Sequence, residues 1–499
     1  MQLQFSNKTV RYLDIPVQEV KNVEITQELR LTEGMPDIGR ILMTWGQVML
    51  RSKQWQSREI VLSGGVKLWV LYLPEDGTEP RVTEGWVPFQ LKWDVRDTDR
   101  EGTVRMMPLL RFADSRSISA RKMMLRAGVG VLAQGFCQAE QEIGEPQDAP
   151  ADVQIRKRTY PVMLPVEAGE KTLLLDEDLD LAAQGISADK MISCTVSPEV
   201  TEKRILSNKI AYKGCAGVHL VVRNSEGRIE SRNIDLPFSQ LVELDQTYGQ
   251  DAQADIRFGV TELDTDMPEN GPMRIKCGMV AQYLVNDRQI LEVADDAYSP
   301  RRCIDFEMAQ LNLPVIVEDK AETIRTEQMI TGQQGTVADI TFCPDYPLAQ
   351  RNPGGIELKM SGLYQLLFYG EDGSMQSTSS RWEDDLQIPA DHSIHTNVMV
   401  NAVGRPMVQT AVDGTSVSCP MMIQMQTGTD QGIPMMVSME MDSQPSRNPD
   451  RPALILRRAG QDSLWEIAKK SGSTVDAVRN ANHLTDEPKP EQMLLIPVC

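Results

Sequence analysis

The stretch Ile60-Val-Leu-Ser-Gly-Gly-Val-Lys-Leu-Trp-Val-Leu-Tyr-Leu-Pro-Glu-Asp-Gly77 is a long run of apolar and β-branched side chains that ends in a Glu-Asp-Gly turn. The chain then returns through Val87-Pro-Phe-Gln-Leu-Lys-Trp-Asp94, which has the same apolar character. Two apolar runs on either side of a glycine turn predict a β-hairpin. The hairpin decides the fold class, because its pattern is repeated along the chain.

The same pattern occurs twice more. A second copy runs through residues 210–227 and returns through 234–245, and a third runs through 356–373 and returns through 382–391. The three turn glycines are Gly77, Gly227 and Gly373. Their spacings of 150 and 146 residues indicate an internal repeat of domain size.

A segment of alternating apolar and polar residues precedes each hairpin. These segments lie at 23–42, at 171–192 and, more weakly, at 322–341. Alternation suits strands with one buried face. The sequence therefore predicts a mainly β protein with three tandem antiparallel β domains, at residues 1–137, 159–303 and 304–441.

Two segments have the composition of linkers. Residues 138–158 begin with a stretch, 138–152, that has five acidic residues, two prolines and no basic residue. Residues 442–452 contain three prolines and no large apolar residue. Such compositions bury too little apolar surface to fold alone, so we expect an acidic flexible linker and a proline-rich spacer.

The remaining residues, 453–499, predict a small β-α-α-β domain. Leu464, Ile467 and Ala468 recur at helical spacing between a cap at Asp462 or Ser463 and a stop at Gly472. A second helix is expected to start at Ser473 or Thr474 and to end at 480–482. Strands are expected at 454–457 and 494–497.

This segment resembles a LysM domain. The residues that match are Gly460, Asp462-Ser-Leu-Trp-Glu-Ile-Ala468, Asn482 and Leu495-Ile-Pro497, whereas Arg457-Arg-Ala and Gln461 depart from the family pattern. The resemblance implies binding of N-acetylglucosamine polymers such as peptidoglycan in a groove between two loops. The implied groove residues are Gly460, Gln461, Asp462, Ser463, Leu464, Asn482, His483 and Leu484.

A LysM fold does not by itself establish sugar binding, since most signature residues are caps and core. Docking on a protein partner is the competing interpretation, with Arg457, Arg458, Leu464 and Trp465 as its candidate residues. We expect Trp465 to contribute mainly to the core of the small domain.

The three repeats resemble SPOCS domains, which occur in spore-coat-associated proteins of Clostridia. Three such repeats followed by one LysM domain are similar to the SipL-type spore morphogenetic proteins. The resemblance implies a location in the mother-cell cytoplasm at the forespore surface. It also implies that the LysM domain docks on the ATPase of the coat basement layer and that the repeats contact coat proteins.

Charge separates the two parts of the chain. The 499 residues carry 51 basic and 71 acidic side chains, a net charge of −20. Residues 453–499 contain six of each, so the whole excess lies in residues 1–452. An acidic surface of this size argues against nucleic acid as a partner, and no stretch is apolar enough to span a membrane.

Nothing in the sequence predicts catalysis or a cofactor. There is no GxSxG, GxxxxGK[ST] or HExxH motif, and the eight cysteines contain no CxxC pair that would favour zinc. We therefore expect a non-enzymatic scaffold that joins spore-coat layers through its LysM domain. The alternative is a structural protein that LysM anchors to peptidoglycan of the cortex. Edge strands of the repeats offer surfaces for homo-oligomers.

Overall fold

A computed structural model describes residues 1–77, 79–95, 100–268, 271–331, 335–389, 394–402, 404–411, 414–429, 432–444 and 452–498. The fold is mainly β, with two short helices near the C-terminus. Antiparallel pairs build its sheets. The predicted fold class is therefore confirmed.

The first repeat contains six strands that form two three-stranded sheets. The strands are β1 (Phe5–Arg30), β2 (Ile38–Gln56), β3 (Glu59–Pro74), β4 (Arg81–Asp94), β5 (Thr103–Ser119) and β6 (Lys122–Pro146). Strands β2, β3 and β4 form a meander, and the long strands form a second sheet in the order β1-β6-β5.

The second repeat has the same topology. Its strands are β7 (Gln154–Leu179), β8 (Lys190–Leu206), β9 (Lys209–Arg223), β10 (Ile229–Glu243), β11 (Gln253–Asp266) and β12 (Met273–Tyr298). The meander is β8-β9-β10, and β12 lies between β7 and β11 in the other sheet.

The third repeat keeps this plan with additional short strands. Its strands are β13 (Ile304–Leu311), β14 (Val315–Thr331), β15 (Thr336–Pro344), β16 (Leu348–Asn352), β17 (Gly355–Tyr369), β18 (Met375–Ile388), β19 (Ile394–Ala402), β20 (Met407–Ala411), β21 (Gly414–Thr429) and β22 (Ile433–Met441). Strand β17 is central in the meander, β21 pairs with β14, β19 and β20, and β22 pairs with β13. The pair Ile316 and Met163 connects β14 to β7 of the second repeat.

The three predicted hairpins are confirmed as β3–β4, β9–β10 and β17–β18. Their turn glycines have φ angles of +70°, +81° and +76°, a left-handed conformation that residues with a Cβ rarely adopt. Each turn therefore requires the glycine that marked the repeat in the sequence.

The prediction of an acidic flexible linker at 138–158 is wrong for most of that range. Residues 138–146 belong to β6 and pair with β1, and β7 begins at Gln154. Ile143 is 1% exposed and lies in a core shared by all three repeats. Glu142 and Glu145 instead face outward, where they accept hydrogen bonds from Asn7 and Lys157. The mean composition conceals this alternation, which is why the prediction failed.

Polar contacts fix the first repeat against the second. The Gln282 side chain forms two hydrogen bonds with the backbone of Met106. It donates to the Met106 carbonyl and accepts from the Met106 amide, both at 2.8 Å. Nearby, buried Arg105 donates to Asp255 at 2.7 Å. Burial raises the pKa of Asp255, but the charges of Arg257 and Arg105 outweigh it and the pKa is lowered. The repeats therefore form one body.

A single carboxylate joins all three repeats. Asp339 on β15 is 1% exposed, and its oxygens lie 2.7 Å from Trp45 Nε1 on β2 and 2.8 Å from His219 Nε2 on β9. His219 Nδ1 lies 2.9 Å from Asn233 Oδ1. Burial lowers the pKa of His219, but the Asp339 charge and the hydrogen bonds outweigh it, so the pKa is raised. We call Trp45, His219 and Asp339 the three-repeat node.

The C-terminal module has the predicted β-α-α-β order. Its elements are β23 (Leu454–Arg458), α1 (Leu464–Ser471), α2 (Val475–Asn482) and β24 (Met493–Pro497). In the proline-rich spacer predicted at 442–452, residues 445–451 lie outside the described residues. Neither helix formed by the described residues has the length and apolar character needed to cross a membrane.

The pKa of His219 predicts a pH dependence of stability. A folded-state pKa above the unfolded value of 6.5 gives stability that is fully present below pH 6.5 and is lost as the pH rises through the folded value. His219→Gln keeps a donor but cannot be charged. It should therefore lower the melting temperature more at pH 6 than at pH 8.5, and an equal loss at both pH values would contradict the charged pair.

Candidate functional site

The first helix of the module is held by its own caps. Ser463 Oγ accepts from the Glu466 amide at 3.3 Å, and the Glu466 carboxylate accepts from the Ser463 amide at 3.2 Å. This capping box makes Ser463, not Asp462, the N-cap. Gly472 ends the helix in the left-handed region with φ +66°, as predicted. Ser463 is therefore engaged in local structure within the candidate groove.

Asp462 pairs with two basic side chains of the module. Its carboxylate accepts from Lys470 Nζ at 3.1 Å and from Arg457 Nη2 at 3.0 Å. The hydrogen bond from Lys470, together with both positive charges, lowers the pKa of Asp462. The carboxylate therefore ties the start of α1 to its C-terminal end and to β23.

Asn482 connects the second helix to the last strand. Its Nδ2 donates to the carbonyls of Val478 at 2.8 Å and Leu495 at 2.6 Å, and its Oδ1 accepts from the Leu495 amide at 2.7 Å. The next residue, His483, caps α2 with a left-handed φ of +53°. The signature asparagine is thus a structural residue whose amide is used within the domain.

A side-chain contact joins the two loops of the candidate groove, in addition to the backbone hydrogen bonds of Ala459 with Glu491 and Gln492. The Leu464 amide, at the N-terminus of α1, donates to Glu487 Oε2 at 2.6 Å. Glu487 is exposed and lies in the loop that connects α2 to β24. Gly460 on the other side is open, since an added Cβ would meet no atom within 4 Å. Sequence reasoning missed Glu487, because no pattern marks a side chain that reaches back across a loop.

The module contacts the β body through α1. Trp465 Nε1 donates to Asp296 Oδ2 at 2.7 Å, and Lys469 Nζ donates to Asp296 Oδ1 at 2.6 Å. The Trp465 ring meets Tyr298 edge-on with 4.9 Å between centroids, and the Arg156 guanidinium lies 5.6 Å from it. We call this the docking contact. It joins the module to the end of β12.

The docking contact keeps its acid charged. Burial raises the pKa of Asp296, but the hydrogen bonds from Lys469 and Trp465 and the charges of Lys469 and Arg156 outweigh it, so the pKa is lowered. A carboxylate shielded from water and held by two donors fixes the orientation of α1. No sequence motif indicated Asp296, which lies 169 residues before Trp465.

Two of the four predicted protein-docking residues are not available as exposed anchors. Leu464 is 1% exposed in the core of the module, so its prediction as an anchor is wrong. Trp465 packs on that core, as expected, but its indole edge is also engaged by the docking contact. Arg457 and Arg458 lie on the sheet, where they pair with Asp462 and Glu491.

The outer face of the module's sheet carries exposed apolar side chains. Leu456 is 65% exposed, and Leu454 and Met493 are 51% and 50% exposed. Leu456 pairs with Leu495, and Arg458 pairs with Met493. These side chains share a face with Arg458, the predicted docking residue that stays most accessible.

Among the residues that the structure describes, no group of three or more His, Cys, Asp or Glu side chains is placed to hold a metal ion. The described cysteines are free thiols, and most are buried. Burial raises the pKa of Cys194 and Cys277 to about 12, so they stay protonated. These thiols therefore act as small apolar residues of the core.

Comparison with known protein families matches residues 461–497 to the LysM domain. No curated protein and no solved structure matches the chain. The match covers α1, α2, β24, the loop between the helices and β24, and the first loop from Gln461 onward, so the C-terminal module contains a LysM domain. The resemblance of the three repeats to SPOCS domains stays a prediction.

Asp296→Ala should release the module from the body, because two donors lose their shared acceptor, a loss of about 2–3 kcal/mol. Small-angle X-ray scattering of the full chain should show a larger radius of gyration than the wild type. Glu292→Ala, an exposed substitution on the same strand, is the control. An unchanged scattering profile for Asp296→Ala would contradict the docking contact.

Asn482→Ala should unfold the module, because three hydrogen bonds to backbone groups are lost at a cost of about 3 kcal/mol. Limited proteolysis should then cleave residues 453–499 while the β body resists. Asn480→Ala, on the exposed side of the same helix, should leave the module resistant. Equal resistance of both variants would show that Asn482 is not structural.

Proposed function

We propose that the chain is a non-enzymatic structural protein whose LysM domain binds a polymer of N-acetylglucosamine such as peptidoglycan. The observation that carries this proposal is the family match over residues 461–497, which includes every candidate groove residue except Gly460. The docking contact supports it as well. It engages Trp465 and Lys469 of α1, and the loop residue Gly460 stays open.

The charge distribution supports a binding role for the module. The β body carries the whole net charge of −20, whereas residues 453–499 are neutral. An acidic polymer is repelled by the body but not by the module. The contacts of Trp465 and Lys469 with Asp296 hold α1 against β12 of the body.

A non-enzymatic role is part of the proposal. One acidic pair of the kind that a glycosidase would require, Asp176 and Asp178 on β7, lies on exposed strand positions. Asp176 accepts two hydrogen bonds from Arg274 at 2.8 and 2.7 Å, which lower its pKa. A general acid needs the opposite shift, so Asp176 is not suited to that role.

A second candidate is an adaptor of the spore coat, in the mother-cell cytoplasm at the forespore surface. It is favoured by one observation: Ser463, Asp462 and Asn482 use their polar groups within the domain, which leaves few side-chain partners for a sugar. On this hypothesis a coat protein, such as the basement-layer ATPase, binds the sheet face that includes Arg458 and Leu456. The repeats then contact other coat proteins or further copies of the chain.

Retention on insoluble peptidoglycan tests the glycan proposal. The full chain should sediment with the polymer and should be released by soluble N-acetylglucosamine oligomers, whereas a chain ending at residue 441 should stay in solution. Sedimentation of both chains, or of neither, would overturn the proposal. Arg458→Glu should leave glycan retention unchanged under the first hypothesis, and under the second it should abolish capture of the purified ATPase.

A further inference from the structure

A cavity lies where the three repeats meet. Its volume is about 610 Å³, and its walls come from β2 and β5 of the first repeat, β8 and β11 of the second, and β15 and β21 of the third. Cavities that bind small molecules typically have volumes of about 300–1,000 Å³ and often lie between domains. This cavity in the β body therefore has the size and the position of a small-molecule site.

A buried charge cluster forms part of the cavity wall. Asp255 and Arg257 lie two residues apart on β11, so their side chains share one face of the strand, and each residue is only 8% exposed. The Asp255 carboxylate lies 2.7 Å from Arg105 Nη1 and 3.2 Å from Arg257 Nε. Two arginines thus share one buried acid. A ligand carboxylate would balance the second arginine, since buried charges are stable when they are paired.

The charged residues at the mouth of the cavity are of a different kind. Glu199, Glu202 and Lys203 also line the cavity, but they are exposed on β8. Water and salt screen exposed charges much more than buried ones. The guanidinium of Arg257 is therefore the group that would select the charge of a ligand.

Each repeat contributes an aromatic side chain to the wall. These are Trp45 on β2, Phe258 on β11 and Phe342 on β15. Aromatic rings favour contact with hydrocarbon over contact with water. The cavity is therefore suited to a ligand that has an apolar chain in addition to its charge.

A buried acceptor without a donor lies in a smaller adjoining cavity. That cavity has a volume of about 250 Å³ and shares Asp255 with the larger one. Its wall includes Asn286 on β12, which is 3% exposed and whose Oδ1 has no hydrogen-bond partner among the described residues. Asn286 pairs with Gln253, two residues from Asp255, so Asn286 and Asp255 are diagonal neighbours about 7–8 Å apart. A buried oxygen of this kind destabilises the fold until a donor reaches it.

We propose that the cavity between the repeats binds a small hydroxy acid that has a carboxylate, an apolar chain and a hydroxyl group. The carboxylate pairs with Arg257, and the hydroxyl donates to Asn286 Oδ1. The chain between them contacts apolar side chains of the wall. This site is separate from the LysM domain, so the proposal does not depend on the glycan function. Because the walls come from all three repeats, the bound acid would also stabilise their assembly.

Isothermal titration of the full chain with three matched probes tests the site. The probe 6-hydroxyhexanoate has a hydroxyl and a carboxylate that can span the distance from Arg257 to Asn286, and it should bind saturably with a dissociation constant of about 1 mM. Hexanoate lacks the hydroxyl and should bind about fivefold more weakly. The probe 1,6-hexanediol lacks the carboxylate and should bind at least about tenfold more weakly.

Two variants assign the recognition to its residues. Asn286→Leu keeps the side-chain size without the orphaned oxygen, so it should bind both acids equally and should melt at a higher temperature than the wild type without ligand. Arg257→Met leaves Asp255 paired with Arg105 and should weaken binding of both acids about tenfold. If Arg257→Met does not fold, the comparison of 6-hydroxyhexanoate with the diol on the wild type still decides the role of charge.

A third variant locates the binding in the cavity. Met422 lines the cavity, so Met422→Trp should fill it and abolish binding of all three probes. Met407 is 45% exposed on β20, and Met407→Trp is the control that should bind as the wild type does.

Three results would overturn the proposal. The first is the absence of saturable binding of 6-hydroxyhexanoate to the wild type. The second is equal affinity of the wild type for all three probes, because neither Arg257 nor Asn286 would then recognise the ligand. The third is wild-type affinity of Met422→Trp, which would place the acid outside the cavity. None of these results bears on retention by peptidoglycan, which tests the glycan function separately.

Discussion

The buried carboxylate of Asp339 constrains the whole β body. A charge that is 1% exposed is unfavourable unless donors surround it, and here the donors come from two other repeats: Trp45 at 2.7 Å and His219 at 2.8 Å. The buried acid of the third repeat therefore depends on the meanders of the first two repeats for these donors. Three repeats of related topology are in this way joined in one body.

The docking contact repeats the same chemistry at the end of the chain. Trp465 donates its indole N–H to Asp296 at the distance at which Trp45 donates to Asp339, 2.7 Å in both cases. In each junction an aromatic side chain adds buried apolar area, and its single donor fixes the orientation. Lys469 takes the place that His219 has in the three-repeat node. Because Asp296 lies on β12, the position of that strand in the second repeat determines where the module is held.

The repeats and the module could be predicted because their patterns are local in the sequence. The junctions could not, because their residues are far apart in the sequence. The hairpins are marked in the sequence by Gly77, Gly227 and Gly373, because a left-handed turn position favours glycine. The helices of the module follow from caps within a few residues of each other. The hydrogen-bond partners of Asp339 and Asp296 lie more than a hundred residues away in the sequence, and no rule based on residue spacing predicts such pairs. The prediction of an acidic linker failed for another reason. The mean charge of residues 138–152 obscured the end of strand β6, in which apolar positions alternate with acidic ones.

The small size of the LysM domain explains why its groove is poor in free polar groups. A domain of this length buries little apolar surface, so hydrogen bonds of its loops must supply order that a larger core would otherwise provide. Asn482, Ser463 and Asp462 are used in this way, and their replacement would weaken the fold before it altered recognition. Selectivity must then come from groups that the fold does not need.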